Sequence, residues 1–376
     1  MANDYPVILC HGFGGWGPKE LWGLSYWGFA PTVPSLLPRY IASVGPISST
    51  HERACELAFQ IKGGTTDYGK ERAEEMGHER FGKTYEAFHK DWSEEQPVHL
   101  VGHSMGAPTI FMLQQLLAID YFGWGSNANW VKSISGIAGA FNGANMSYFL
   151  GCDEETGLIP RRSISRILFQ FLELTVAIMG DSFDNVYDFD LEHWDLNRKP
   201  GESVISLVKR MANSPMFLGK SNALYCLTIQ AALEQNQFCQ TYPDTYYFSY
   251  VCEQTTPQFL TDFQVPEFGM NPLFIPVSMY IGTKFYEPFY DGFDSSDWWA
   301  NDGVISCYGQ MYPRVSGNHP VGGDIEEQEE EFVPGQWFYQ KIESMDHGDI
   351  VFLPERKNIR RQKHLYTKLF ERLASL

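Results

Sequence analysis

No uninterrupted apolar run in the sequence approaches the ~20 residues that a membrane-spanning helix needs, so no transmembrane segment is expected. Cations are scarce as well: 28 Lys and Arg stand against 46 Asp and Glu, a formal net charge of −18. Phosphate recognition needs clustered Lys and Arg, so nucleic acid and anionic lipid surfaces are poor partners and a neutral substrate is the easier fit. The seven cysteines (Cys10, Cys55, Cys152, Cys226, Cys239, Cys252 and Cys307) contain no C-x-x-C pair, which removes a zinc finger and a dense disulfide framework but leaves one or two disulfides open. The opening "MANDYPVILCHGFGG" lacks the basic and apolar regions of a secretory signal, so the expected compartment is intracellular, or extracellular if a signal was removed ahead of residue 1. Repeats are also missing.

What the sequence has in excess is aromatic side chains, 15% of the chain, more than a core requires and suited to a wide apolar groove or an interaction surface. Short apolar segments ("YPVILCHG", "PVHLVGHS", "YYFSYVC", "NPLFIPV") read as strands interleaved with helical stretches, the pattern of a mostly parallel α/β sheet covered on both faces. One domain is expected over 1–376, with an insertion at about 45–90 and a cap at about 140–235, where the strand rhythm stops. Inside that cap, 163–179 places Ile164, Ile167, Leu168, Phe171, Leu174 and Ile178 on one helical face, either a buried crossover helix or a lid. Acidic residues in 322–335 read as a solvated loop, and "HLYTKLFERLASL" as a terminal helix on the sheet.

The stretch "VHLVGHSMGAPTIFML" joins a strand to a helix through Gly102, His103, Ser104, Met105 and Gly106. In G-x-S-x-G the turn strains the serine backbone and pushes its oxygen outward, while a side chain at either glycine would strike neighbouring backbone. A serine is a weak nucleophile until a histidine takes its proton and a carboxylate orients that histidine. The order nucleophile, acid, base selects Asp302 in "WWANDGVIS", on a turn ahead of an expected strand, and His347 in "MDHGDIVFL". The rivals are His319, beside Pro320 in an expected mobile loop, His364 on the terminal helix, and Asp297 for the acid. The early "LCHGFGGWG" supplies an oxyanion donor at Phe13, with the N–H of Met105 as its partner.

With these residues in place, the chain resembles the thermophilic Bacillus-type triacylglycerol lipases, bacterial lipase family I.5, related to the staphylococcal lipases. The likeness runs nearly end to end through "HGFGGWG", "YWGF", "VGPISSTHERACELAFQIKGGTTDYG", "GHERFGKTY", "VYDFDLEHWDLNRKPGES", "PDTYYFSY", "PEFGMNP" and "WWANDGVIS". It implies an α/β-hydrolase fold with a large helical lid, cleavage of long-chain acylglycerols at a lipid–water interface, and a triad of Ser104, Asp302 and His347. It also implies a zinc site of two aspartates and two histidines, at whose positions this chain has Glu52, Arg72, His78 and Ser221. A charged Arg has no lone pair for a metal, so no zinc is expected and Arg72 is expected to pair with Glu52 instead. The implied calcium site is eroded, with Gly269 and Asp349 present, Pro354 at a carboxylate position and Glu355 beside it; calcium stays open and no cofactor is required. "GIAGAFNG" replaces an expected "TPH", so the acyl pocket floor is expected to differ. The alternatives to a lipase are a carboxylesterase acting on short or soluble esters and a silent hydrolase-fold module that binds lipid.

Overall fold

The computed structural model of the 376-residue chain describes residues 3–164, 167, 187–328 and 331–376. Strands β1 (Val7–Cys10), β2 (Arg39–Ala42), β5 (Val98–His103), β6 (Val131–Ile137), β7 (Tyr246–Glu253), β10 (Val321–Asp324) and β11 (Trp337–Glu343) form a seven-stranded sheet in the order β10-β11-β7-β6-β5-β1-β2. Every neighbouring pair is parallel. Such a sheet needs cover on both faces, and the strand sequences supply it. Ile8, Cys10, Leu100, Ile134 and Tyr247 point into a core built with α1 (Thr50–Lys62) and α3 (Gly106–Ala118). Val7, Leu9, Val101, Ile137 and Phe248 point the other way, against the terminal helix (Ile359–Ser375) and the aromatic N-terminal segment around Trp27. At ~1.5–3 kcal/mol per buried large apolar side chain, these two layers dominate stability.

Between α1 and β5 lie β3 (Gly64–Asp67), α2 (Lys70–Met76) and β4 (Phe81–Tyr85), with β3 and β4 forming an antiparallel pair apart from the main sheet. No strand occurs between Ile137 and Tyr246 among the described residues, and a third core joins Ile47, Tyr148, Trp194, Leu207, Met216 and Phe217. Most of the expected helix at 163–179 lies outside the described residues; of its apolar face, Ile164 and Ile167 are buried in that third core. Among the described residues no helix is long and apolar enough to cross a membrane, and all seven cysteines are free thiols.

Three segments differ from their sequence reading. "NPLFIPV" is not a strand: Ile275–Ile281 is a helix with Pro276 in its first turn and Val277, Ser278 and Ile281 buried on one face. "GVIS" after Asp302 forms a tight turn leading into the short helix Cys307–Gln310. The acidic loop begins as edge strand β10, with Ile325 buried behind it.

Candidate active site

The end of β5 carries the elbow. Ser104 has φ 55, the left-handed region that a side chain adopts only under constraint. Its N–H donates to the Ile137 carbonyl at 3.0 Å, and its own carbonyl accepts from Ala107 and Ala140 at 3.1 Å each. Both glycines of the motif are dictated by close approach: a Cβ at Gly102 would lie 2.4 Å from the Gly106 carbonyl, and one at Gly106 only 2.1 Å from the Cys10 oxygen. Ser104 is nearly buried, at 6% exposure. Met105 opens α3, where backbone N–H groups have no acceptor one turn earlier.

The loop after β1 is pressed onto this elbow. A Cβ at Gly12 would meet the Ser104 Cβ at 2.7 Å, so only glycine lets the two backbones touch. From one side the buried Arg53 guanidinium donates to the carbonyls of His11 and Gly45 and to Thr109 Oγ1. From the other, the Tyr26 hydroxyl accepts the Gly12 N–H at 3.0 Å. His11 is buried, with its pKa pushed down to about 3 by burial and by the Arg53 charge, so it stays a neutral strut whose Nε2 receives the Val44 N–H. Phe13 follows directly and lines a small cavity with Ile47, Ile167, Phe217 and Leu224.

Asp302 and His347 meet. His347 Nδ1 lies 2.7 Å from Asp302 Oδ2, and the His347 N–H donates to the Asp302 carbonyl at 2.9 Å. The other carboxylate oxygen accepts the N–H groups of Val304 and Ile305 at 2.9 and 2.8 Å, so the fully buried Asp302 is fixed by the tight turn that follows it. Ser104 is joined to this pair through its neighbour His103, whose ring centroid is 4.6 Å from that of His347. The rivals stand elsewhere. His319, far from mobile, is buried and tied to Thr241 Oγ1 and the Asn236 carbonyl; His364 and Asp297 are exposed.

A family model described as "Lipase-like, C-terminal domain" matches residues 3–375. The chain belongs to that family. The lipase-like chain is 32% identical over 375 residues to a lipase of Staphylococcus hyicus, covering 93% of this chain and 54% of that one, so it spans about half the length of the curated relatives it matches. The solved structure of EstA from Clostridium botulinum is 31% identical, with a TM-score of 0.83 over 100% of this chain and 88% of that one. Lipase 1 from Pelosinus fermentans is 30% identical, with a TM-score of 0.80 and 100% coverage of both chains. The fold is that of the α/β-hydrolases.

The lipase-like chain departs from the metal sites that the family resemblance implies. At the zinc position the donor set does not fit a metal. Arg72 Nε donates to Glu52 Oε1 at 3.2 Å and Arg72 Nη2 to Ser221 Oγ at 3.3 Å, while His78 Nε2 lies 3.7 Å from Glu52 Oε1. The Arg72 guanidinium thus bridges Glu52 and Ser221, and its pairing with Glu52 is the one expected from the sequence. Burial alone would raise the Glu52 pKa, yet His78 and the Arg72 charge outweigh it and bring the carboxyl to about 2. At the calcium position Asp349 is already used, accepting the Glu355 N–H and the Asn358 amide at 2.6 Å each. The Lys357 ammonium, paired with Glu355 at 3.0 Å, sits where a Cβ on Gly269 would approach it to 2.5 Å. Among the described residues no group of three or more acidic, His or Cys side chains is arranged to hold a metal.

Sequence reasoning missed Tyr26, Arg53 and the packing role of His103. The divergent "GIAGAFNG" folds back over the elbow, and its Phe141 turns into the core against Trp337 at 4.9 Å.

Proposed function

We propose that this chain is a carboxylic ester hydrolase, most simply a triacylglycerol lipase of the Bacillus-type branch, working through Ser104, His347 and Asp302. The observation that carries the reading is a strained serine with φ 55 at the strand-to-helix turn, together with a buried His347–Asp302 pair in the required chain order. The stretch at about 140–235 serves as the cap.

In the first half-reaction His347 Nε2 takes the Ser104 proton as the oxygen attacks the ester carbonyl. Asp302, held by two N–H groups, keeps the His347 proton on Nδ1 and steadies the imidazolium. Negative charge on the carbonyl oxygen is received by the N–H groups of Phe13 and Met105, each worth ~3–4 kcal/mol of transition-state stabilisation. His347 then gives its proton to the leaving alcohol, an acyl group remains on Ser104, and water repeats the sequence in reverse. No step requires a metal or cofactor. The relatives named lipase and the glycine-lined elbow support an ester substrate, with the lipid–water interface as its source. Labelling with a fluorophosphonate, followed by a chain-length series of nitrophenyl and glycerol esters, tests the reading. Ester turnover that survives complete labelling of Ser104 would sink it.

A further inference from the structure

We infer that Tyr26, bound to His103, is a positioning residue that sets the aim of the oxyanion loop. This rests on the reading of Ser104 as the nucleophile. Tyr26 is buried, at 4% exposure, within contacts of Trp16, Trp27, Phe352 and His11, and its ring has little freedom to turn. Its hydroxyl oxygen receives the Gly12 N–H at 3.0 Å and lies 2.7 Å from His103 Nδ1. A buried hydroxyl should spend its proton as well as its lone pair, and Nδ1 is the acceptor in reach, so His103 carries its own proton on Nε2.

The two ends of this chain of contacts are the parts that must not drift. Gly12 immediately precedes Phe13: Tyr26 holds the His11–Gly12 peptide by its N–H, while His11 Nδ1 and the Gly15 N–H hold the Gly12 carbonyl, which shares its peptide plane with the Phe13 N–H, so Gly12 is fixed on both sides. His103 immediately precedes Ser104, and its ring packs at 4.6 Å on His347. One buried hydroxyl therefore links the oxyanion loop, the nucleophile elbow and the base loop. His103 remains neutral, because burial first and the neighbouring His347 second hold its pKa well below the usual range. The strut thus keeps one hydrogen-bonding state across the working pH. An oxyanion donor acts only near 2.7–3.1 Å from the developing charge, whereas substrate binding is insensitive to its exact aim. Loss of the strut should lower kcat and leave KM almost unchanged.

The test is Tyr26→Phe, with active sites counted by fluorophosphonate titration so that kcat is expressed per competent site. The expected result is a drop of about tenfold in kcat per site, KM within twofold, and a parallel drop in affinity for a boronic acid that mimics the tetrahedral intermediate. A purely structural role would lower the melting temperature and the number of titratable sites and leave kcat per site unchanged; that result overturns the inference. Should Tyr26→Phe fail to fold, His103→Leu and His103→Gln decide the matter. Leu removes the acceptor and should lose about tenfold in kcat per site, whereas Gln offers an amide oxygen and should keep most of it; equal kcat values for the two variants overturn the inference. A wild-type protein that takes up no fluorophosphonate would instead refute the nucleophile reading itself.

Discussion

At the residue scale, reactive groups and their supports were unequally legible. Ser104, Asp302 and His347 show in the sequence because their chemistry imposes local patterns: glycines at an elbow, and an acid and a base on turns in a fixed order. Asp302→Asn or His347→Ala should cost ~10⁴ in kcat, read as initial rates per mole of folded protein, and near-native turnover in either would remove that residue from its role. The supports leave no pattern, because Tyr26 reaches His103 across 77 positions and Arg53 reaches His11 across 42. Arg72 was legible only as a cation set among implied metal ligands. It is a quarter exposed, with the side chain at 23% and Glu52 at 0%, so Arg72→Ala strands a buried carboxylate and should destabilise the chain by ~3–5 kcal/mol in denaturant unfolding. The Glu52 carboxyl is depressed from 4.5 to about 2, so its contribution is complete above 4.5 and is lost as pH falls toward 2. In Arg72→Ala that acid loss should begin at higher pH.

Elements were misread where one apolar run fits two periods. Residues 271–277 are apolar enough for a strand, but Pro276 suits a first helical turn and burial follows a helical face. Strands β1 and β5 are unambiguous because residues on both faces are buried, leaving a short unbroken apolar run. Within the expected cap, residues 188–192 are pinned to β4 by Lys83, which pairs with Asp188 at 2.6 Å, Asp190 at 3.0 Å and Glu192 at 3.6 Å. The apolar stripe of 163–179 then predicts lid behaviour: tributyrin hydrolysis should rise sharply as substrate passes its solubility limit. Smooth saturation through that limit would favour a fixed crossover helix and an ordinary esterase.

For the whole molecule, fold class was legible because a parallel sheet with elbow, acid and base in sequence order leaves few architectures. Reliance on metal is where the chain parts from its resemblance. With Arg72 inside one implied site and Lys357 beside the other, melting temperature and activity should be unchanged by a strong chelator. Arg72→His with Ser221→Asp should introduce chelator-sensitive, zinc-dependent melting, since Glu52 and His78 already stand in place. A drop in melting temperature of the wild-type chain on chelation would contradict this account.

Every step of the proposed chemistry passes through one oxygen, so the most direct measurement is fluorophosphonate labelling followed by peptide mapping and turnover of a nitrophenyl ester. The account predicts one label per chain on Ser104, with turnover falling as label is gained, and neither label nor turnover in a folded Ser104→Ala variant. Label on another residue, or ester turnover that persists in Ser104→Ala, would contradict it.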